Sequence, residues 1–389
     1  MDRTTLNAAV RRFPLLGRPR PACPSLPERV AEIAHIAEAA AQSHGIDTMA
    51  EAAHALNKAA LLASDCGLPE HARDLCWRHI NLYRQPGTRL TVLQARYLLE
   101  PVLNLARLQL RAEDGDPALR LVEAMYRAVT ANTDLVVDGH TLPLADLTGT
   151  WEEHYRLREW VWLHYVGDGI RALTLADRWE EAVTHATTHR GIGLHLMEGR
   201  QAAIIAPLLR GELSVARALL EESTPTRPWE QQVASCLTVM CTDPDKTSAA
   251  RNITTMIEHF LGSEPVPGYA VFRARLGLTV VTLASDADPA AAAHVLARVA
   301  REAIEADDGY AARDVLGYRS VLIRLANVQR EALSALVTSS GLGAGSVSAP
   351  LLDSLISSTK VAEVAMAVWT KSWTSAWMRS TSPARTPTR

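Results

Sequence analysis

Four lysines, three phenylalanines and five cysteines are few for a chain of 389 residues, and each scarcity closes off a class of proteins. Beside those four lysines stand 36 arginines. The two carry the same charge, so the skew reads as codon bias of a GC-rich genome. Acidic residues offset the cations and leave a formal charge of -3, so no broadly basic face for nucleic acid is expected. Few aromatics and many Ala and Leu favour helix over sheet. Five cysteines are too sparse for a disulfide scaffold and odd in number, which points to reduced thiols in a cytoplasm. No run reaches the roughly 18 uncharged apolar residues of a membrane span. Arg3, Arg11, Arg12, Arg18 and Arg20 are not followed by the apolar run of a secretion signal.

What is present is mostly helical periodicity. Residues 1–27 form a Pro/Arg-rich arm in which Pro14, Pro19, Pro21, Pro24 and Pro27 disfavour helix. From Glu28, Val30, Ile33, Ile36 and Ala37 share one helical face. Leu56, Ala59, Ala60 and Ala63 continue it until Gly67 ends the helix and Pro69 opens the next. A Gly or Asp then stands five residues before a small Ala at several turns. The pairs are Gly67/Ala72, Asp177/Ala182, Gly211/Ala216 and Asp245/Ala250, with weaker copies at Glu113/Ala118 and Ser285/Ala290. Ala182, Ala216 and Ala250 are 34 residues apart in each step, the tetratricopeptide period.

In these turns, and in Pro228 twelve residues after Ala216, the chain resembles the tetratricopeptide repeat (TPR) superfamily. The likeness covers roughly residues 49–306, with the best register at 160–257. The family's aromatic residues in the first helix of each unit are mostly Ala, Leu and Ile here. Turns such as "DRWEEA" and "HRGIG" also resemble those of actinobacterial helical-repeat proteins to which no activity attaches. The resemblance implies an all-α solenoid of antiparallel helix pairs over residues 28–336. Within 133–149, Asp138-Gly139 between apolar runs predicts a β-hairpin or structured loop, which also explains the long step between Ala118 and Ala182. It is a candidate lid. Residues 337–350 read as a flexible Gly/Ser linker. Residues 351–378 read as a capping helix with Trp369, Trp373 and Trp377 on one stripe, and 379–389 as a disordered tail.

Two histidine-bearing stretches invite a metal reading. Cys66, His71, Cys76 and His79 lie in sixteen residues, but Cys66 ends one helix and His71 begins the next, so a helix–helix turn is the expectation. His185, His189 and His195 have the spacing of a metzincin site, yet Ala186 stands where that motif needs Glu to activate water. They remain metal candidates without that hydrolytic mechanism, and no cofactor is expected. "GLGAGS" at 341–346 lacks the Gly-Lys-Ser/Thr of a phosphate loop.

The aromatic and arginine content of 150–169 fits a binding surface, since these residue types dominate binding energy. With the polar pair in "MEGRQAA" it makes Tyr155, Arg158, Trp160, Arg200 and Gln201 the groove candidates, the alternative being that Arg200 and Gln201 simply face water. The sequence therefore predicts a non-catalytic regulatory or adaptor protein that holds a peptide or protein partner in a groove. Two alternatives stay open. One is a metal- or small-molecule-binding enzyme built on His185, His189 and His195. The other is the sensing subunit of a transcriptional regulator.

Overall fold

The structure is a computed structural model. It describes residues 2–43, 46–83, 89–112, 114–243, 248–320 and 323–381, the side chains of 46 and 369–381 excepted. Seventeen helices and one hairpin appear among them. In chain order they are α1 (Arg3–Val10), α2 (Leu26–Gln42), α3 (Ile46–Asp65), α4 (Pro69–Asn81), α5 (Val92–Arg111), α6 (Gly115–Ala131), β1 (Leu135–Val137), β2 (His140–Leu142) and α7 (Trp151–Leu175). Then follow α8 (Trp179–Thr188), α9 (Glu198–Arg210), α10 (Leu213–Glu221), α11 (Pro228–Met240), α12 (Ser248–Leu261), α13 (Ala270–Ala284), α14 (Pro289–Glu305), α15 (Gly309–Leu316), α16 (Asn327–Ser339) and α17 (Ala349–Thr381). The predicted all-α class holds at this level. Among the described residues no helix is long and apolar enough to cross a membrane.

The chain divides into two compact units, each assembled from separated segments. One contains residues 1–26 and 164–342; the other contains residues 27–163 and 343–389. They are called the arm-bearing unit and the hairpin-bearing unit below.

One turn recurs through both units. Gly67, Asp177, Gly211 and Asp307 all adopt left-handed backbone, at φ between 47° and 82°. After each, the next amide reaches back to a carbonyl five residues earlier: Leu68 to Ala63, Arg178 to Leu173, Glu212 to Pro207 and Asp308 to Ala303. This closes the preceding helix by satisfying carbonyls that have no partner within it. The fourth residue of the following helix is then alanine each time: Ala72, Ala182, Ala216 and Ala312, all at most 1% exposed. A small side chain there lets the two helix axes approach. The Asp307/Ala312 pair is a further copy beyond those named from the sequence. Ala250 and Ala290, expected to be such contacts, are exposed, and Ala292 fills the position in α14. Asp245 lies outside the described residues.

In the arm-bearing unit α13 is mostly apolar and buried nearly throughout, packed by α1, α11, α12, α14 and α15. Gly277 gives the clearance: a Cβ there would lie 2.2 Å from Val299 Cγ2 and 2.7 Å from Phe260 Cζ. Its one buried cation, Arg273, is matched by Glu302 of α14 at 2.8 and 3.1 Å, and Arg298 donates to the same carboxylate at 2.7 Å.

In the hairpin-bearing unit the segment after α6 is a true hairpin, with Leu135 opposite Leu142 and Val137 opposite His140. Asp138 (φ 50°) and Gly139 (φ 77°) supply the two left-handed residues that a two-residue turn requires. It is tied to α4: Asp138 accepts from Arg73 at 2.5 Å and from Trp77 Nε1 at 3.3 Å, and Trp77 lies 4.9 Å from the His140 ring.

The predicted Gly/Ser linker is fixed where it passes α3. Gly343 N donates to Asp65 O and Gly345 N to Cys66 O, both at 2.8 Å, with φ 69° at each glycine. These amides cap the end of α3, and the left-handed backbone at both positions favours glycine. Residue 349 then begins α17, whose buried Leu355, Ala362 and Met366 pack toward α3. The tryptophan stripe at 369, 373 and 377 and the tail beyond 381 lie outside the described side chains.

Candidate functional site

Cys66 lies in the turn between α3 and α4, and His71, Cys76 and His79 lie on α4 itself. Burial pushes the Cys76 thiol up to about 12, despite Arg73 nearby, and holds the His79 imidazole down to about 3. A thiol raised so far is not the thiolate that ligation or nucleophilic attack requires. Among the described residues no three His, Cys, Asp or Glu side chains are grouped to hold a metal.

The three other histidines are also divided. His185 Nε2 lies 3.2 Å from the Tyr165 carbonyl, and His189 Nε2 lies 3.1 Å from the Tyr165 hydroxyl. Tyr165 packs edge-on to both rings at 4.7 Å. His195 turns instead to Glu230 of α11, 3.3 Å away. Helix α8, which carries His185, ends at Thr188, so His189 and Arg190 (φ 54°) belong to the turn that follows. The i, i+4 pair therefore packs on α7, and His195 does not join it.

The five groove candidates behave differently from one another. In the hairpin-bearing unit, Tyr155 is half exposed and stacked on Trp151 at 5.6 Å, with the Arg158 guanidinium 5.2 Å from its ring. Arg96 lies 5.8 Å from the Trp160 ring. In the arm-bearing unit Arg200 and Gln201 are 5% and 0% exposed, so neither faces water. Arg200 ties α9 to the end of α10, donating to Leu219 O at 2.6 Å and Ser223 Oγ at 3.0 Å and pairing with Glu222. It is a clamp between helices.

Gln201 grips the arm. Its Oε1 accepts from Leu15 N at 2.8 Å and its Nε2 donates to Leu15 O at 2.7 Å, so one side chain satisfies both polar groups of one peptide residue. A second bond from Nε2 to Leu196 O fixes the amide's orientation. Leu15 itself is 1% exposed.

The same segment is held along its length by one helix after another. Gly17 lies against the indole of Trp229 on α11, where a Cβ would come 2.2 Å from Cγ and 2.6 Å from Cδ1. Arg18 pairs with buried Glu198 of α9 at 2.7 Å. Arg20 N donates to Gly268 O at 2.9 Å, and its guanidinium lies 4.7 Å over the Tyr310 ring. Gly309 N, opening α15, donates to Cys23 O at 2.9 Å. The arm thus runs along a channel in which Gln201 holds its main chain, Trp229 faces Gly17, and Glu198 and Tyr310 meet its arginines, with Leu15, Gly17 and Cys23 buried and residues 18–22 exposed.

Beside the end of this channel, Ala22, Tyr269, Arg273, Glu302 and Asp308 line a cavity of about 420 Å³. Its polar groups are already engaged. Arg273 and Glu302 pair with each other, and Asp308 caps α15 through Tyr310 N and Ala311 N. Burial nonetheless raises the Asp308 carboxyl against those bonds.

Of the residues that hold the arm, the sequence singles out Gln201 but not Glu198, Trp229 or Tyr310. "EGRQ" carries a signal in retrospect: Glu198 and Gln201 are three apart and so share a face. Trp229 follows Pro228, which the repeat frame notices only as a helix boundary. No protein-family model, curated protein or solved structure matches the chain.

Proposed function

We propose that this is a non-catalytic helical-repeat protein of the TPR-like kind that binds an extended segment of a peptide or protein partner, in a regulatory or adaptor role. Stacked helix pairs present extended surfaces suited to this use. The observation that carries the reading is the two-bond grip of buried Gln201 on the Leu15 backbone. Buried amide side chains are costly unless satisfied, and this one is satisfied by a segment more than 180 positions away in sequence. Main-chain bonds supply affinity in peptide recognition, and neighbouring side-chain pockets supply selectivity. Glu198, Trp229 and Tyr310 are the selective elements.

The test is selection of peptides from a displayed library on the full-length protein. The expected outcome is enrichment of sequences whose binding weakens about tenfold or more in Gln201→Ala and in Glu198→Gln, in line with lost charge-assisted and main-chain bonds. Selected peptides that bind both variants as well as the wild type would remove the channel from consideration.

A further inference from the structure

We propose that the channel is a receptor for extended basic peptides of the pattern apolar–x–small–Arg–x–Arg supplied in trans, and that residues 11–24 occupy it as a tethered placeholder. This rests on the peptide-binding reading above and specifies its ligand.

The pattern is read from the seats. Leu15 fills a slot with no exposure to solvent beyond 1% and is fixed through its backbone. Two positions on, only a residue without a Cβ clears the Trp229 indole. Arg18 reaches Glu198, which is 6% exposed and available to a cation from the channel side. Two further on, Arg20 is stacked on Tyr310. Prolines at 19, 21 and 24 keep the segment extended before it docks, which lowers the ordering cost of any ligand built likewise.

Two observations mark the arm as an imperfect occupant. The indole nitrogen of Trp229 is buried and has no hydrogen-bond partner, although it is bonded to Cδ1, which a Cβ at Gly17 would approach to 2.6 Å. A buried donor left without a partner is costly. A competing peptide that places an acceptor there gains a bond the arm forgoes. Second, the Arg18 side chain is 57% exposed although its partner Glu198 is buried, so the arm uses this carboxylate only from its edge. Against these deficits the arm has the advantage of its tether, which gives it an effective concentration of about millimolar order. A ligand in trans must overcome that, which sets a threshold for binding.

The experiment uses the full-length protein, a labelled synthetic peptide of residues 11–24, and hydrogen exchange of the segment around Leu15. Two variants release the arm by different means: Gly17→Leu collides with Trp229, and Arg18→Glu opposes Glu198 at a half-exposed position that leaves the core untouched. In both, the Leu15 segment should exchange faster. Both should also bind the peptide at least about tenfold more tightly than the wild type does, as expected when a tethered competitor is removed. Adding Gln201→Ala to either should reverse the gain, and a peptide with Glu in place of Arg18 should not bind. Continued protection of the arm in the Arg18→Glu protein, with unchanged affinity, would overturn the placeholder. So would a library-selected peptide that binds the wild type without speeding arm exchange, while the peptide-binding reading would then survive. Failure of every peptide to bind either released protein would overturn both.

Discussion

His79→Leu tests the internal accounting of the hairpin-bearing unit. His79 is 1% exposed on α4, and neither ring nitrogen has a hydrogen-bond partner. Burial holds its imidazole down to about 3, below the ordinary value of 6.5. A folded-state value below the unfolded one means that protonation favours the unfolded chain. The stability is therefore complete above about pH 6.5 and is lost as pH falls from there toward 3, at about 1.4 kcal/mol per pH unit. Between pH 7 and pH 5 the loss from this one residue is about 2 kcal/mol. Leucine is close to histidine in size and removes both stranded nitrogens, which is worth about 1–3 kcal/mol at neutral pH, less any repacking strain. That strain is the same at every pH. The informative quantity is therefore the change in the gap between variant and wild type, not the gap itself. Paired denaturant titrations at pH 7 and pH 5, with hydrogen exchange of the α4 amides to report on this unit, should show the variant's advantage growing by about 2 kcal/mol on acidification. A gap that stays constant would mean that the imidazole ionises inside the folded protein, and the reasoning would fail.

Other substitutions probe separate contacts. Gly277→Ala should lower stability by about 1–3 kcal/mol, because the added methyl meets Val299 and Phe260 in a filled core, and thermal melting would report it. Glu302→Ala should cost about 3–5 kcal/mol by leaving Arg273 buried without its carboxylate. Burial opposes ionisation of Glu302, but the bonds from Arg273 and Arg298 prevail and hold the carboxyl below its usual range. Its contribution is thus present at neutral pH and fades in acid below about pH 4.5, so wild type and variant should converge in low-pH melts. Gly139→Val should cost about 1–2 kcal/mol for forcing a β-branched residue into left-handed backbone, readable as a lower melting temperature. Zinc titrated into the full-length protein followed by dialysis should leave less than about one ion per chain, and His189→Ala should not change that amount, because His195 turns to Glu230 instead of completing the set.

Much of the fold was legible because it is governed by local chemistry. Gly67, Asp177 and Gly211 announce left-handed helix ends, and the alanine five residues later announces a close helix crossing. Asp138-Gly139 specifies a hairpin turn by itself. The turn reading of Cys66–His79 followed from which side chains can share a helix face. These rules extend over a few residues and need no knowledge of what lies opposite.

What tertiary structure alone decided is the destination of each segment. The prolines of residues 1–27 foretold extended chain, which holds after Pro14 but not at Arg3–Val10, where α1 forms, and they did not foretell that Leu15 would lie in the grip of Gln201, 186 positions away. Neither could the pair Arg200 and Gln201 be told apart in sequence, although one clamps α10 and the other holds the arm. The glycines at 343 and 345 look like a linker until the end of α3 appears beneath them. In each case the sequence fixes how a residue can bend and what it can bond. The bond it makes depends on which distant unsatisfied group the packing of helices brings within hydrogen-bond reach.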